Sequence, residues 1–156
     1  MKPPTINDIK KNLEKKDSSE LLGYCLKLAK YKKENKELIG FLLFEQDDIS
    51  GFVENIKQEI ENLFRQINKT NIYYIKKSVR KILKEVNKQI RFSLSKQVEA
   101  ELLIHFCNCI HSFSIPIKQS QQLFNLYDTQ LKKIENALSE LHADLQYDLK
   151  RQLLKT

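Results

Sequence analysis

Four side chains able to bind metals or act as nucleophiles fall within seven residues of this 156-residue chain: His105, Cys107, Cys109 and His111. Imidazole and thiolate groups are the usual protein ligands of zinc. In a helix, His105 and Cys109 share one face because they are four residues apart, whereas Cys107 and His111 lie nearly opposite. The four side chains cannot then coordinate one ion. We predict buried thiols in a helical core and no metal site.

Common catalytic and nucleotide-binding motifs are missing from the sequence. It contains no Gly-x-Ser-x-Gly, no Walker sequence, no His-Glu-x-x-His and no Gly-x-Gly-x-x-Gly. With only 3 glycines, it also lacks material for a glycine-rich phosphate loop. We therefore expect no catalytic residue, no cofactor and no enzyme activity.

Positive charge is concentrated in one segment. The chain has a formal net charge of +7, and residues 68–96 hold nine Lys and Arg against one Glu. At about 100° per residue, eight of these cations, Lys69 and Lys81 among them, fall in one arc of a helix, and the apolar residues fall in the opposite arc. The residues predicted to bind a polyanion or an acidic partner are Tyr73, Lys76, Lys77, Arg80, Lys84, Lys88 and Arg91.

Three interpretations of this basic helix stay open. Its cations could follow the phosphates of a nucleic acid, or they could dock onto an acidic protein or an anionic lipid surface. They could also form a solvated face whose charge is partly offset by the preceding acidic segment. The acidic residues of that segment are Asp47, Asp48, Glu54, Glu59 and Glu61.

Apolar residues alternate in steps of three and four after Ser120, which is typical of a seam that packs against another helix. The predicted seam residues are Leu131, Ile134, Leu138, Leu141 and Leu145. The partner helix could belong to the same chain, so that the seam closes the domain. Alternatively, an exposed seam on an extended helix over 120–156 could form a homodimer or bind an amphipathic helix of a partner.

Helical periodicity and capping residues predict an all-α fold. Helix starts are expected near positions 17, 50, 70, 95 and 120, with connectors short enough for consecutive helices to pack antiparallel. We expect six or seven helices in a single domain, 1–156, with the weakly charged helix that begins at Ser95 as its core. A short α-α superhelix, similar to HEAT or armadillo stacks in helix pattern alone, is favoured over a closed bundle.

The remaining features favour a soluble cytoplasmic protein. No apolar signal-peptide core follows Met1, and the longest stretch without charged residues, 102–117, is too short and too polar to span a membrane. Three cysteines without an export signal suggest reduced thiols. We therefore expect a non-enzymatic scaffold or protein-interaction module with a protein partner. The alternative is a nucleic-acid-binding helical-repeat protein that uses the basic helix 69–91.

Overall fold

A computed structural model describes residues 1–153, which form eight α-helices and no strand, as expected for an all-α protein. No helix in this range has both the length and the apolar character needed to cross a bilayer. The helices are α1 (Ile6–Leu13), α2 (Ser18–Tyr31), α3 (Lys33–Gly40), α4 (Ile49–Arg65), α5 (Ile72–Ser93), α6 (Lys96–Ser112), α7 (Gln121–Ser139) and α8 (Ala143–Gln152).

The chain divides into two compact units, residues 1–45 and residues 46–156, at a position where the sequence gives no boundary signal. The first unit contains α1 to α3 and a π-helical turn over Phe41–Glu45. Reciprocal caps fix the starts of its first two helices. The side chain of Asp17 accepts from the Glu20 amide at 2.8 Å, and the Glu20 carboxylate accepts from the Asp17 amide at 3.1 Å.

Helix α6 is the centre of the second unit, as its low charge predicts. Nine of its 17 residues are buried. Within residues 46–156, α6 contacts α4, α5, α7 and α8, and consecutive helices pack side by side. These contacts fit a helical stack, while the choice between a superhelix and a closed bundle stays a prediction.

Three aromatic rings hold the end of α4 against the C-terminal half of the core helix. Phe64 is fully buried, with its ring centroid 5.6 Å from that of Phe106 and 5.7 Å from that of Phe113. Offset and tilted ring pairs at such distances add to the stabilisation from burial. The apolar side of α5 closes this core with four buried aliphatic residues, which places the opposite, basic side of α5 away from it.

The extended C-terminal helix expected over 120–156 is two helices in the described residues, which accounts for the eighth helix. The last turn of α7 tightens, because the amide of Leu141 donates to the carbonyl of Leu138 at 2.9 Å. His142 then leaves the helical conformation (ψ 144°) and caps α8, its Nδ1 accepting from the Asp144 amide. Residues 154–156 of the predicted helix lie outside the described residues.

Candidate interaction surfaces

Helix α5 presents five exposed cations along one side, which we call the basic face: Lys77, Arg80, Lys81, Lys84 and Arg91. Their spacing keeps them within one arc of the helix, and the first and last lie about 21 Å apart along its axis at 1.5 Å per residue. No carboxylate of residues 1–153 forms an ion pair with any of the five. Glu85, the one acidic residue of α5, is instead 2.9 Å from Lys88 Nζ.

Two of the predicted cations are less available than the sequence suggests. The side chain of Lys88 is only 13% exposed in its ion pair with Glu85. Lys76 is half-buried, and its Nζ lies 3.2 Å from Oε1 of Gln122, an oxygen that also accepts from Arg80 at 2.9 Å. Lys69 Nζ donates to the carbonyl of Phe113, which anchors it to the end of α6.

The acidic residues of α4 do little to offset the basic face. Asp48 caps its own helix by accepting from the Gly51 amide at 3.0 Å. Glu61 lies 3.3 Å from Arg65 and 3.4 Å from His105, on the side of α4 that meets α6. Desolvation and the nearby Glu85 carboxylate raise the pKa of the Glu59 carboxyl. Within residues 1–153, the carboxylates of the acidic segment therefore form no ion pair with the cations of the basic face.

Two tyrosines stand at the beginning of α5, next to the basic face. Tyr73 is 61% exposed and Tyr74 is 44% exposed, with their ring centroids 5.6 Å apart in an edge-on arrangement. Tyr73 precedes Lys77 by one helical turn, so both point to the same side of the helix. Asn71 fixes this turn by accepting from the Tyr74 amide at 3.1 Å.

The four potential ligands around Cys107 separate in the way their helical spacing predicts. His105 faces α4, with Nε2 at 3.2 Å from the Lys57 carbonyl oxygen, whereas His111 faces α7, with Nε2 at 2.7 Å from the Tyr127 hydroxyl. Burial lowers the pKa of His105, an effect that the nearby Glu61 carboxylate opposes. In residues 1–153, no group of three or more His, Cys, Asp or Glu side chains is arranged to hold a metal ion.

The cysteines differ in accessibility. Cys107 and Cys109 are buried, and burial raises the pKa of each thiol to about 12. A thiol with such a pKa carries almost no thiolate at neutral pH and is a poor nucleophile. Cys25, in α2, is exposed.

The C-terminal seam packs within the second unit. Ile134 and Leu138 are buried, and Leu131, Leu141 and Leu145 are partly covered. Leu149, beyond the predicted seam residues, is also buried, because α8 folds back against α6 and α7. The seam thus finds its partner helices in the same chain, and homodimerisation through it gains no support.

The first unit exposes apolar side chains that the sequence analysis did not single out. Residues 1–45 contain twelve exposed large apolar side chains besides Met1, whereas residues 46–153 contain five. Within 1–45, Phe41 is the one large apolar residue that is buried. The sequence feature that could have revealed this surface is that α2 carries apolar residues on several sides. Helical periodicity predicts that such residues are buried in a core, but this short unit has too few residues to form one.

An apolar groove runs between α1 and α2. The residues that line it are Pro4, Asp8, Ile9, Asn12, Leu13, Lys16 and Tyr24. Leu28 and Tyr31 extend the same face of α2, since they follow Tyr24 by four and seven residues. The carboxylate of Asp8 is held by the hydroxyl and the amide of Thr5, which lowers the pKa of Asp8.

Comparison with protein-family models, with curated proteins and with solved structures gives no significant match. Any assignment of function must therefore rest on the residues and geometry of this chain alone.

Proposed function

We propose that this protein is a non-enzymatic protein-interaction module whose first unit binds a helical segment of another protein. The observation that carries the proposal is the concentration of exposed apolar side chains in residues 1–45. Monomeric proteins rarely expose apolar patches larger than a few hundred Å², and larger ones commonly mark interaction sites. Burial of one exposed leucine against a partner would contribute about 1.5–3 kcal/mol.

The partner is best described as an amphipathic helix with acidic flanks. Five lysines and one glutamate occupy residues 27–36, where α2 ends and α3 begins. Tyr24, Leu28 and Tyr31 present the i, i+4, i+7 spacing by which apolar faces of helices pack together. Aspartate or glutamate beside the apolar face of a partner would meet these lysines and favour one orientation.

Two labelled amphipathic model peptides test this proposal. Both carry the same leucine face, with glutamates on the polar face of one and lysines on the other. The Leu/Glu peptide should bind more tightly in fluorescence anisotropy. Leu28→Asp should weaken this binding about tenfold or more, since it loses at least 1.5 kcal/mol of burial. Leu22→Asp is the matched control, because Leu22 is also 61% exposed but lies on another side of α2.

Two results would contradict the assignment. Equal loss of binding in both aspartate variants would mean that the α1–α2 groove has no special role. A dimer of the free protein that dissociates on Leu28→Asp, seen by analytical ultracentrifugation, would assign the groove to a second copy of the chain.

A second candidate function, nucleic-acid binding, is favoured by the basic face. Five exposed cations that form no ion pair within residues 1–153 lie on one side of a helix and form a strong single-sign field. If all five met duplex phosphates, log K against log salt should have a slope of about −4.5, at roughly 0.9 per contact.

Fluorescence anisotropy with labelled oligonucleotides at about 50 and 200 mM salt measures this slope. Lys77→Glu/Lys84→Glu should abolish most of the binding. Lys133→Glu/Lys150→Glu is the matched control, because it makes the same change in net charge at exposed positions of α7 and α8. A slope near zero, or equal loss in both variants, would leave the basic face as a solvated surface.

A further inference from the structure

We infer that the basic face binds single-stranded rather than duplex nucleic acid, with the ring of Tyr73 stacking on a base. This inference rests on the nucleic-acid binding described above as the second candidate function. The observation behind it is that an exposed aromatic pair adjoins the row of cations, a combination that phosphate binding alone does not require.

Tyr73 and the nearest cations of the basic face lie on the same side of α5. Lys77 follows Tyr73 by four residues, and Arg80 follows it by seven. Both side chains of the basic face therefore emerge on the same side of α5 as the tyrosine ring. A base stacked on Tyr73 would have its own or the neighbouring phosphate within reach of these cations.

The local structure presents the aromatic ring to solvent in a defined place. The side chain of Tyr73 is 61% exposed, and its ring packs edge-on with that of Tyr74, with the ring centroids 5.6 Å apart. The backbone beneath both rings is fixed by the Asn71 cap. A base can therefore cover the exposed side of the ring without rearrangement of the helix.

Base accessibility distinguishes the two kinds of nucleic acid. In a duplex, the faces of the bases are already stacked, so an exposed tyrosine would contact only edges or backbone. A single strand offers free base faces, and proteins bind it with a basic groove or stripe combined with aromatic stacking platforms. Residues 73–91 span about 27 Å at 1.5 Å per residue, enough for several nucleotides.

The decisive measurement is anisotropy of labelled oligonucleotides of about 12 nucleotides, within the range of known single-strand site sizes. Oligo(dT), oligo(U) and a DNA duplex of the same length are the probes. The wild-type protein should prefer the single strands. Tyr73→Ala should weaken single-strand binding roughly fivefold or more, the value of one base–aromatic stack. Duplex binding should not change, and Tyr73→Phe, which keeps the aromatic face, should retain single-strand affinity.

Tyr147→Ala is the matched control, because Tyr147 is exposed to 63% on α8, outside the basic face. It should bind every probe as the wild type does. If the wild type binds no probe, nucleic-acid binding and the inference both fail. If it binds the duplex as tightly as the single strands and Tyr73→Ala has no effect, nucleic-acid binding stands and the stacking role is overturned.

Discussion

Leu149 gives the clearest test of how the C-terminal helix contributes to stability. Its side chain is 3% exposed, in a ten-residue helix that packs on α6 and α7. Truncating a buried leucine to alanine costs about 2–5 kcal/mol, and the cost is lower where the site can collapse. Because α8 has only ten residues, we expect the lower end, about 2–3 kcal/mol for Leu149→Ala.

Urea-induced unfolding followed by far-UV circular dichroism measures this loss, with the slope m showing whether the denatured state has changed. Lys150→Ala, next to Leu149 and exposed, is the control and should change stability by less than about 0.5 kcal/mol. If Leu149→Ala unfolds at the same urea concentration as the wild type, α8 does not stabilise the second unit. Its leucines would then be available to another chain.

Two further predictions concern thiol reactivity and pH. In the folded protein, only the thiol of Cys25 should react rapidly with a disulfide reagent, because Cys107 and Cys109 are buried with raised pKa values. In denaturant, all three thiols should react. Two or three rapidly reacting thiols in the native protein would contradict the burial of Cys107 and Cys109. Since burial lowers the pKa of His105 in the folded state, the unfolded chain takes up its proton first as the pH falls below about 6.5. The free energy of unfolding should therefore decrease between neutral pH and pH 5, and His105→Gln should make that decrease smaller; an unchanged pH dependence would exclude this histidine as its source.

The helices of the second unit follow directly from sequence periodicity and caps. Ser95 and Ser120 cap α6 and α7 as expected, because their hydroxyls accept from amides three residues later. Helix α4 starts at Ile49, one residue before the expected Ser50, because the carboxylate of Asp48 provides the cap. The break between α7 and α8 had no such signal. Leu141, Leu145 and Leu149 continue the apolar period across it, so periodicity alone predicts one helix.

The exposure and pairing of the surface residues were harder to predict from the sequence than the helices. The arc of cations on α5 is visible from spacing, but the loss of Lys88 to Glu85 and the contact of Lys76 with Gln122 depend on tertiary packing. Apolar periodicity also could not separate the two units. The same spacing that marks a buried face in α5 occurs in α2, where Leu28 stays exposed because residues 1–45 are too few to cover it.

A single-sign row of cations has a cost that bears on its function. Lys81 lies one helical turn from both Lys77 and Lys84, and each such like-charge pair destabilises a helix by about 0.2–0.5 kcal/mol. Lys81→Glu would turn both repulsions into attractions, but it would also place a second carboxylate four residues before Glu85. The net change should be a rise in the free energy of unfolding of about 0.4–1 kcal/mol at low salt. The same change should weaken polyanion binding. Thermal unfolding and anisotropy on one sample of the variant therefore separate the interpretations. If Lys81→Glu raises the free energy of unfolding and weakens polyanion binding, the basic face is a binding surface whose like charges reduce the stability of the fold. Higher stability with no effect on any polyanion identifies a solvated face.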